Sequence, residues 1–268
     1  MRVTVPASTA NLGPGFDAVA LALDLPFVLS TAHEDELRVV ESTHPAMVAF
    51  VTAGGSGDLW WRSPIPPGRG LGFSGAARVA GALLGTAMGG SADRSAALDV
   101  AVELEGHPEN AAASMLGGAV AASGGVAVRV PLGLEARVVT WSPMTETSTD
   151  RSRGRLPAQV PFADAVFNVG RASLLVAALA AGDRSALRAA TQDRLHQDAR
   201  LDRSPPSRAA LDALRAAGPL AAWLSGSGPT VAALVEPGDA VRIAAALPGD
   251  GQVRILDIDL AGARLDAV

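Results

Sequence analysis

One stretch limits the fold of this chain more than any other: Pro66-Pro67-Gly68-Arg69-Gly70-Leu71-Gly72-Phe73-Ser74-Gly75-Ala76-Ala77. Glycines alternate with larger residues and then run straight into helix formers that continue to about Met88. Glycine enters the left-handed backbone region at no steric cost, so such a loop can turn its N–H groups inward. The helix behind it contributes unbonded N–H groups and the positive end of its dipole, which together favour an anion without help from a lysine. Ser74, at the helix start, can add a hydroxyl. Glycine-rich turns before helices also arise for purely geometric reasons, so the loop alone leaves a phosphate cradle and a plain turn as open alternatives.

Composition narrows the chemistry. The chain has no lysine, its 22 basic residues all being arginine, which excludes a Walker-type loop, a protein-kinase ATP lysine and a Schiff base. The absence of cysteine removes disulfides, thiolate metal sites and a cysteine nucleophile, and tyrosine is absent too. None of the four histidines pairs with another at metal spacing, which argues against a zinc hydrolase. A dinucleotide fold fits poorly, because the first strand does not lead into the glycine loop and no acidic residue ends a strand about 20 residues later. With a net charge of -5 and 18% charged residues there is no basic face for nucleic acid or an anionic membrane. Any phosphate must be held locally. The start, Met1-Arg2-Val3-Thr4-Val5-Pro6, lacks a signal-peptide pattern, and no apolar run approaches the roughly 20 residues of a membrane span, so a cytoplasmic protein is expected.

A chain of 268 residues that is 49% hydrophobic can bury one large core or two intimate ones. Strand-like alternation occurs over residues 2–6, 27–31, 37–41 and 58–65, with residues 7–17 reading as a loop and 46–53 as a helix. Helices are predicted over 74–88 and, capped by Asp93, over 93–105; strands return over 117–141. Residues 145–157 have the polar, arginine-rich composition of a mobile loop, and 163–190 is largely helical. The remainder alternates helix (207–217), strand (221–224), strand (230–235), helix (238–247) and strand (253–258), an order that suits an α+β sandwich. The expected division is residues 1–141 and 142–268.

Two further segments can carry chemistry. In Glu103-Leu104-Glu105-Gly106-His107-Pro108-Glu109-Asn110, helical phase puts Glu103 on the polar face with Ser95 and Asp99, and Glu105 on the apolar side near Leu98 and Ala101. An inward carboxylate needs a partner, and either Mg²⁺ with nucleotide phosphates or an arginine would serve. His107, before a proline, reads as a local turn residue more readily than as a ligand or base. Ser225-Gly226-Ser227-Gly228-Pro229-Thr230 lies between two strands and reads, alone, as a tight hairpin.

Together these elements resemble a known family. The segment Pro6-Ala7-Ser8-Thr9-Ala10-Asn11-Leu12-Gly13-Pro14-Gly15-Phe16-Asp17 is similar to the first motif of GHMP small-molecule kinases in its homoserine-kinase form, the Gly70 loop to the second, and Ser225 to Val231 to the third. Further matches are Glu105 to Asn110, Thr149 with Arg153 and Leu156-Pro157, Ala165 to Arg171, and Asp193-Arg194-Leu195-His196-Gln197 followed by Arg200. The resemblance spans about residues 2–235.

It implies a two-domain GHMP kinase fold, α+β, with an amino-terminal domain like ribosomal protein S5, a ferredoxin-like carboxy-terminal domain, and ATP and substrate meeting between them. It implies that Pro67, Gly68, Arg69, Gly70, Leu71, Gly72, Phe73, Ser74, Gly75 and Ala76 bind ATP, and that Ser74 and Glu105 hold Mg²⁺. Asn11, Asp17, Asn110, Thr149, Arg153 and Arg200 would bind L-homoserine, with Ser74, Glu105, Asn110 and Arg153 acting in catalysis. A zwitterionic amino acid needs an acid for its ammonium and a guanidinium for its carboxylate, which Asp17, Arg153 and Arg200 supply. No catalytic base is implied, no nucleic-acid or membrane partner is expected, and a homodimer is compatible with base rates. The family usually has serine at position 73 and aspartate at 109, where this chain has Phe73 and Glu109; Asp198 stands where proline is common, and residues 43–58, near the usual adenine site, are few. Three readings stay open: a homoserine kinase, a GHMP kinase for another small alcohol, and a weakly active ligand-binding homologue impaired by Phe73.

Overall fold

The strand at the amino terminus continues further than the alternation of its first few residues suggests. In the computed structural model, which describes residues 1–91, 93–144 and 156–266, strand β1 (Arg2–Ala10) pairs antiparallel with the long β2 (Val19–Ser30). The stretch 7–17 expected as a loop is therefore strand up to Ala10, because Ala7 and Ala10 are buried against neighbours while Ser8 and Thr9 find polar partners. The β1–β2 register shifts after Pro6, which faces Pro26; neither proline can donate to a ladder.

The larger sheet has seven strands. Its path runs β11 (Arg264–Asp266), β1, β2, β4 (Trp60–Arg62), β3 (Arg38–Val39), while β5 (Ala119–Ser123) pairs with β2 and with β6 (Val126–Val130). Helices α1 (Pro45–Thr52), α2 (Phe73–Met88), α3 (Arg94–Glu105) and α4 (Pro108–Leu116) belong to this half, and α2 and α4 lie on β1 and β2. Asp93 caps α3 as expected, its carboxylate accepting from the N–H groups of Ser95 and Ala96.

The second sheet has four strands in the order β10 (Gly251–Asp257), β7 (Arg137–Pro143), β9 (Val231–Val235), β8 (Ala221–Leu224). Its two faces enter different cores. Val139, Trp141, Ala222, Leu224, Val231 and Ala233 meet helix α8 (Pro205–Ala216), whereas Val138, Ala221, Trp223, Ala232 and Leu234 join the core that contains Val3, Leu12 and Leu21 from the first half. The remaining helices are α5 (Phe162–Ala181), α6 (Arg184–Ala190), α7 (Gln197–Leu201) and α9 (Ala240–Ala244).

The α+β expectation holds, and two details differ. The division at 141 cuts β7, all of which pairs within the second sheet, so the sheets change between Val130 and Arg137. The last strand, β11, then returns to the first sheet beside β1. Among the described residues one helix, α5, is long and apolar enough to cross a membrane by length and composition alone. Asp164, Asn168 and Arg171 interrupt its apolar run, and Asn168 is bonded to Asp193 and Pro14 inside the fold.

Candidate active site

The glycine loop adopts the conformation that its composition allows. Gly68, Gly70 and Gly72 have φ of 64°, 77° and 70°, in the left-handed region. Neighbours close in on two of them: a Cβ on Gly70 would lie 2.3 Å from the Ser225 carbonyl oxygen, and one on Gly72 would lie 2.1 Å from Ser8 Oγ. The loop is thus clamped between β1 and the turn joining β8 to β9, with Ser225 Oγ donating to the Gly70 carbonyl at 2.6 Å. That turn is a hairpin, as its composition suggests, and also a wall of the site. No side chain caps the start of α2, so its first N–H groups remain open toward an anion.

Ser74 Oγ donates to Glu105 Oε1 at 2.6 Å, and Glu105 Oε2 forms an ion pair with Arg78. Of the two partners anticipated for an inward carboxylate, arginine is present and takes one oxygen; the other accepts from the Ser74 hydroxyl, and both Ser74 and Glu105 border the cavity. The Glu105 side chain is 6% exposed, whereas Glu103 lies on the surface, as helical phase requires. His107 sits between two carboxylates, with Nδ1 3.3 Å from Glu109 Oε1 and Nε2 4.0 Å from Glu105 Oε1. It occupies the turn between α3 and α4, as expected, and the cap position of α4, without making a capping bond. Glu109, 2% exposed, accepts from Asn110 Nδ2 at 2.8 Å, while Asn110 Oδ1 accepts from Ser8 Oγ at 2.9 Å. A carboxylate only accepts, so this contact sets which end of the Asn110 amide faces which way.

The opposite wall is made by backbone held in an unusual conformation. Asn11, Leu12 and Asp17 have φ of 71°, 44° and 56°, the non-glycine residues with positive φ among those described. Such strain costs roughly 1–3 kcal/mol per residue and persists where surrounding contacts enforce it. Here Asn11 does so: its Oδ1 accepts from the Asp17 N–H at 3.1 Å, and its Nδ2 donates to the Gly226 carbonyl at 3.0 Å. Arg200, 9% exposed, donates to the same carbonyl at 3.1 Å.

These two walls enclose a cavity of about 260 Å³. Asn11, Asp17, Gly68, Arg69, Gly70, Gly72, Phe73, Ser74, Glu105, Asn110 and Arg200 border it, joined by four residues not singled out as ligands from sequence: His107, Glu109, Gly226 and Ser227. Only their place inside matched motifs could have signalled these. Pro67, Leu71, Gly75 and Ala76 do not border it; Leu71 and Ala76 are core residues, and Gly75 lets α2 approach Asn110 on α4. Thr149 and Arg153 lie outside the described residues.

Phe73 differs from what its place in a phosphate loop implied. Its ring packs at the edge of an aromatic cluster, with centroids 5.7 Å from Phe27, 5.6 Å from Trp61 and 5.8 Å from His44, so much of its bulk is absorbed there. Burial, assisted by the Arg38 charge, pushes the His44 imidazole down to about 4. Among the described residues no cluster of three or more acidic or histidine side chains is suited to a metal. A magnesium ion that takes one carboxylate, one hydroxyl and phosphate oxygens needs no such cluster, and the Ser74–Glu105 pair fits that demand.

An anion cradle facing an acid and a guanidinium across one small cavity is the division of labour expected of a small-molecule kinase. Comparison with known proteins agrees. The family described as GHMP kinases N terminal domain matches residues 38–118, and GHMP kinases C terminal matches residues 175–252. Homoserine kinase from Thermus thermophilus is 39% identical over 280 residues, covering 96% of each chain. Homoserine kinase from Streptomyces coelicolor is 40% identical over 290 residues, covering 98% of this chain and 93% of the relative. A solved structure described as a putative homoserine kinase from Listeria monocytogenes superposes with a TM-score of 0.79 at 30% identity, covering 98% of each chain. That of homoserine kinase from Cytophaga hutchinsonii gives 0.85 at 24% identity, covering 98% of this chain and 96% of the other, and shares the fold. This chain belongs to the homoserine kinases of the GHMP kinase family.

Proposed function

We propose that this protein transfers the γ-phosphoryl group of ATP to the side-chain hydroxyl of L-homoserine, giving O-phospho-L-homoserine for threonine biosynthesis. One observation carries the reading: Asp17 and Arg200 border the same cavity as the Gly70–Ser74 cradle. The acid suits an ammonium group and the guanidinium a carboxylate, and mevalonate or shikimate has no ammonium group for Asp17 to bind.

In this mechanism the N–H groups of residues 70–74 hold the ATP phosphates, and Asn110, its amide oriented by Glu109 and Ser8, holds the acceptor hydroxyl near them. Ser74 and Glu105 would hold Mg²⁺, which when bound neutralises charge on the phosphate oxygens. No side chain is assigned as base: the hydroxyl oxygen forms the new bond to phosphorus, the bond to the ADP oxygen breaks, and the hydroxyl proton passes to the transferred phosphoryl group. Positioning and charge stabilisation carry such a transfer when its transition state is loose. Family resemblance adds Thr149 and Arg153 to the acceptor side.

The test is ADP release by purified protein with ATP, Mg²⁺ and L-homoserine, against mevalonate, shikimate and no acceptor. Homoserine-dependent release, with the KM for homoserine raised at least about tenfold by Arg200→Ala, is expected. Turnover on another acceptor, or ATP binding without turnover, overturns the reading. We read the protein as cytoplasmic, and the exposed Phe162, Val166 and Val169 along α5 support a homodimer, which sedimentation equilibrium checks.

A further inference from the structure

A buried histidine joins the two polar ends of the acceptor subsite, and the established activity gives it no role. His196, 2% exposed, precedes α7 and places Nε2 2.8 Å from the Gly13 carbonyl oxygen and Nδ1 3.0 Å from Arg200 Nη1. A carbonyl can only accept and a guanidinium can only donate, so both contacts are satisfied by one state alone: neutral imidazole with its proton on Nε2. Arg200 Nη1 is at the same time bonded to the Gly226 carbonyl, and the His196 ring packs against Phe16 at 5.1 Å.

Gly13 is itself fixed. It has φ of 89°, and a Cβ there would lie 2.2 Å from the Thr191 carbonyl oxygen, so the turn between Asn11 and Asp17 is seated directly on the chain leading to His196. Asp193 anchors that chain. Its carboxylate accepts from the N–H groups of Leu195, His196 and Gln197 and from Asn168 Nδ2 at 2.7 Å. The imidazole therefore spans the turn that carries Asp17 and the helix that carries Arg200.

We infer that His196 is a positioning residue for the amino-acid acceptor: as the neutral Nε2–H tautomer it sets the placement of Arg200 relative to the Asn11–Asp17 turn, and protonation dismantles that placement. An imidazolium would turn an N–H bond toward a guanidinium and oppose two cations in a dry site. The charged groups that face the ring are Arg200, Asp193, whose Oδ2 lies 3.8 Å from Nε2, and Asp17. Burial is the largest influence and, with Arg200, holds the imidazole below its ordinary range against the opposing pull of Asp193 and Asp17.

The inference rests on the amino-acid acceptor proposed above, so its test includes a measurement without substrate. Nitrogen-15 NMR of the full chain, with histidine labelled, should show neutral His196 as the Nε2–H tautomer with its protonation midpoint below the ordinary 6.5; an Nδ1–H tautomer or a midpoint above 6.5 overturns the inference whatever the substrate proves to be. In kinetics, His196→Ala should raise the KM for L-homoserine about tenfold or more and leave the KM for ATP within about twofold. His196→Gln, whose amide can donate to Gly13 and accept from Arg200, should recover most of that loss. In an Arg200→Ala background His196→Ala should cost little more. Equal changes in both KM values, no recovery by glutamine, or full additivity with Arg200→Ala reduces His196 to a structural residue and overturns it. If His196→Ala does not fold, the tautomer and the glutamine variant still decide.

Discussion

Glu105 must satisfy a hydroxyl, a guanidinium and, in the proposed reaction, a cation with two oxygens. Glu105→Gln keeps the shape and removes the charge, leaving Arg78 beside a neutral amide. The expected outcome is a kcat lower by about 10²- to 10³-fold with the KM for homoserine little changed. A parallel melting curve separates this from instability, because removing one partner of a buried pair also destabilises a fold. Phe73 makes the opposite case. Its ring belongs to a cluster with Phe27, His44 and Trp61, so Phe73→Ser should lower stability by about 2 kcal/mol, read from a denaturant midpoint. Turnover should change by less than about threefold; a large rise in turnover would mean that the ring obstructs the cradle.

At the scale of elements, the cradle depends on how closely α1 approaches α2. Gly81 in α2 faces the backbone of α1, where a Cβ would lie 2.0 Å from the Ala46 carbonyl oxygen, and Gly85 would meet the Phe50 carbonyl oxygen at 2.5 Å. On an open helix face, glycine to alanine gains about 1 kcal/mol. Here the added methyl meets backbone that has little room to retreat, so Gly81→Ala should instead cost about 2–3 kcal/mol, seen as a lower urea midpoint at unchanged m. Sequence reading placed both helices nearly correctly and left their contact undetermined, because small residues in a helix say only that a close approach is allowed.

For the molecule as a whole, a half-buried histidine and a buried one make stability depend on pH. His44 and His196 both have imidazoles held below the ordinary 6.5, chiefly by burial. Below pH 6.5 the unfolded chain binds protons there that the folded chain refuses, so stability rises with pH through this window and is complete above it. For His44 the loss accumulates from about 6.5 down to about 4 and then levels off, because the folded state also protonates there. Urea midpoints across this range should fall with pH. His44→Asn keeps an acceptor for the Ala46 N–H at the start of α1 and removes the titration, so its slope should be shallower; an unchanged slope would exclude His44 as a contributor.

Local physics was legible without coordinates. The glycine spacing foretold a left-handed loop before a helix, helical phase separated Glu105 from Glu103, and Asp93 announced its cap, since each depends on residues within about one turn. The amino-acid residues by themselves also ruled out lysine, cysteine and histidine-pair chemistry. What they left undecided are contacts between residues far apart in sequence. Ser225 closing on Gly70 and His196 bridging Gly13 to Arg200 arise only when two sheets share one core, and Ser8 orienting Asn110 and Arg78 reaching Glu105 only when β1 and helices α2, α3 and α4 of the first half pack together. The placement of the sheet change before Arg137 and the return of β11 to β1 belong to the same class, because a strand's own residues specify its pleat and not its partner. Side-chain type sets which chemistry is available, and packing, within the first half and between the two halves, decides which of those groups meet.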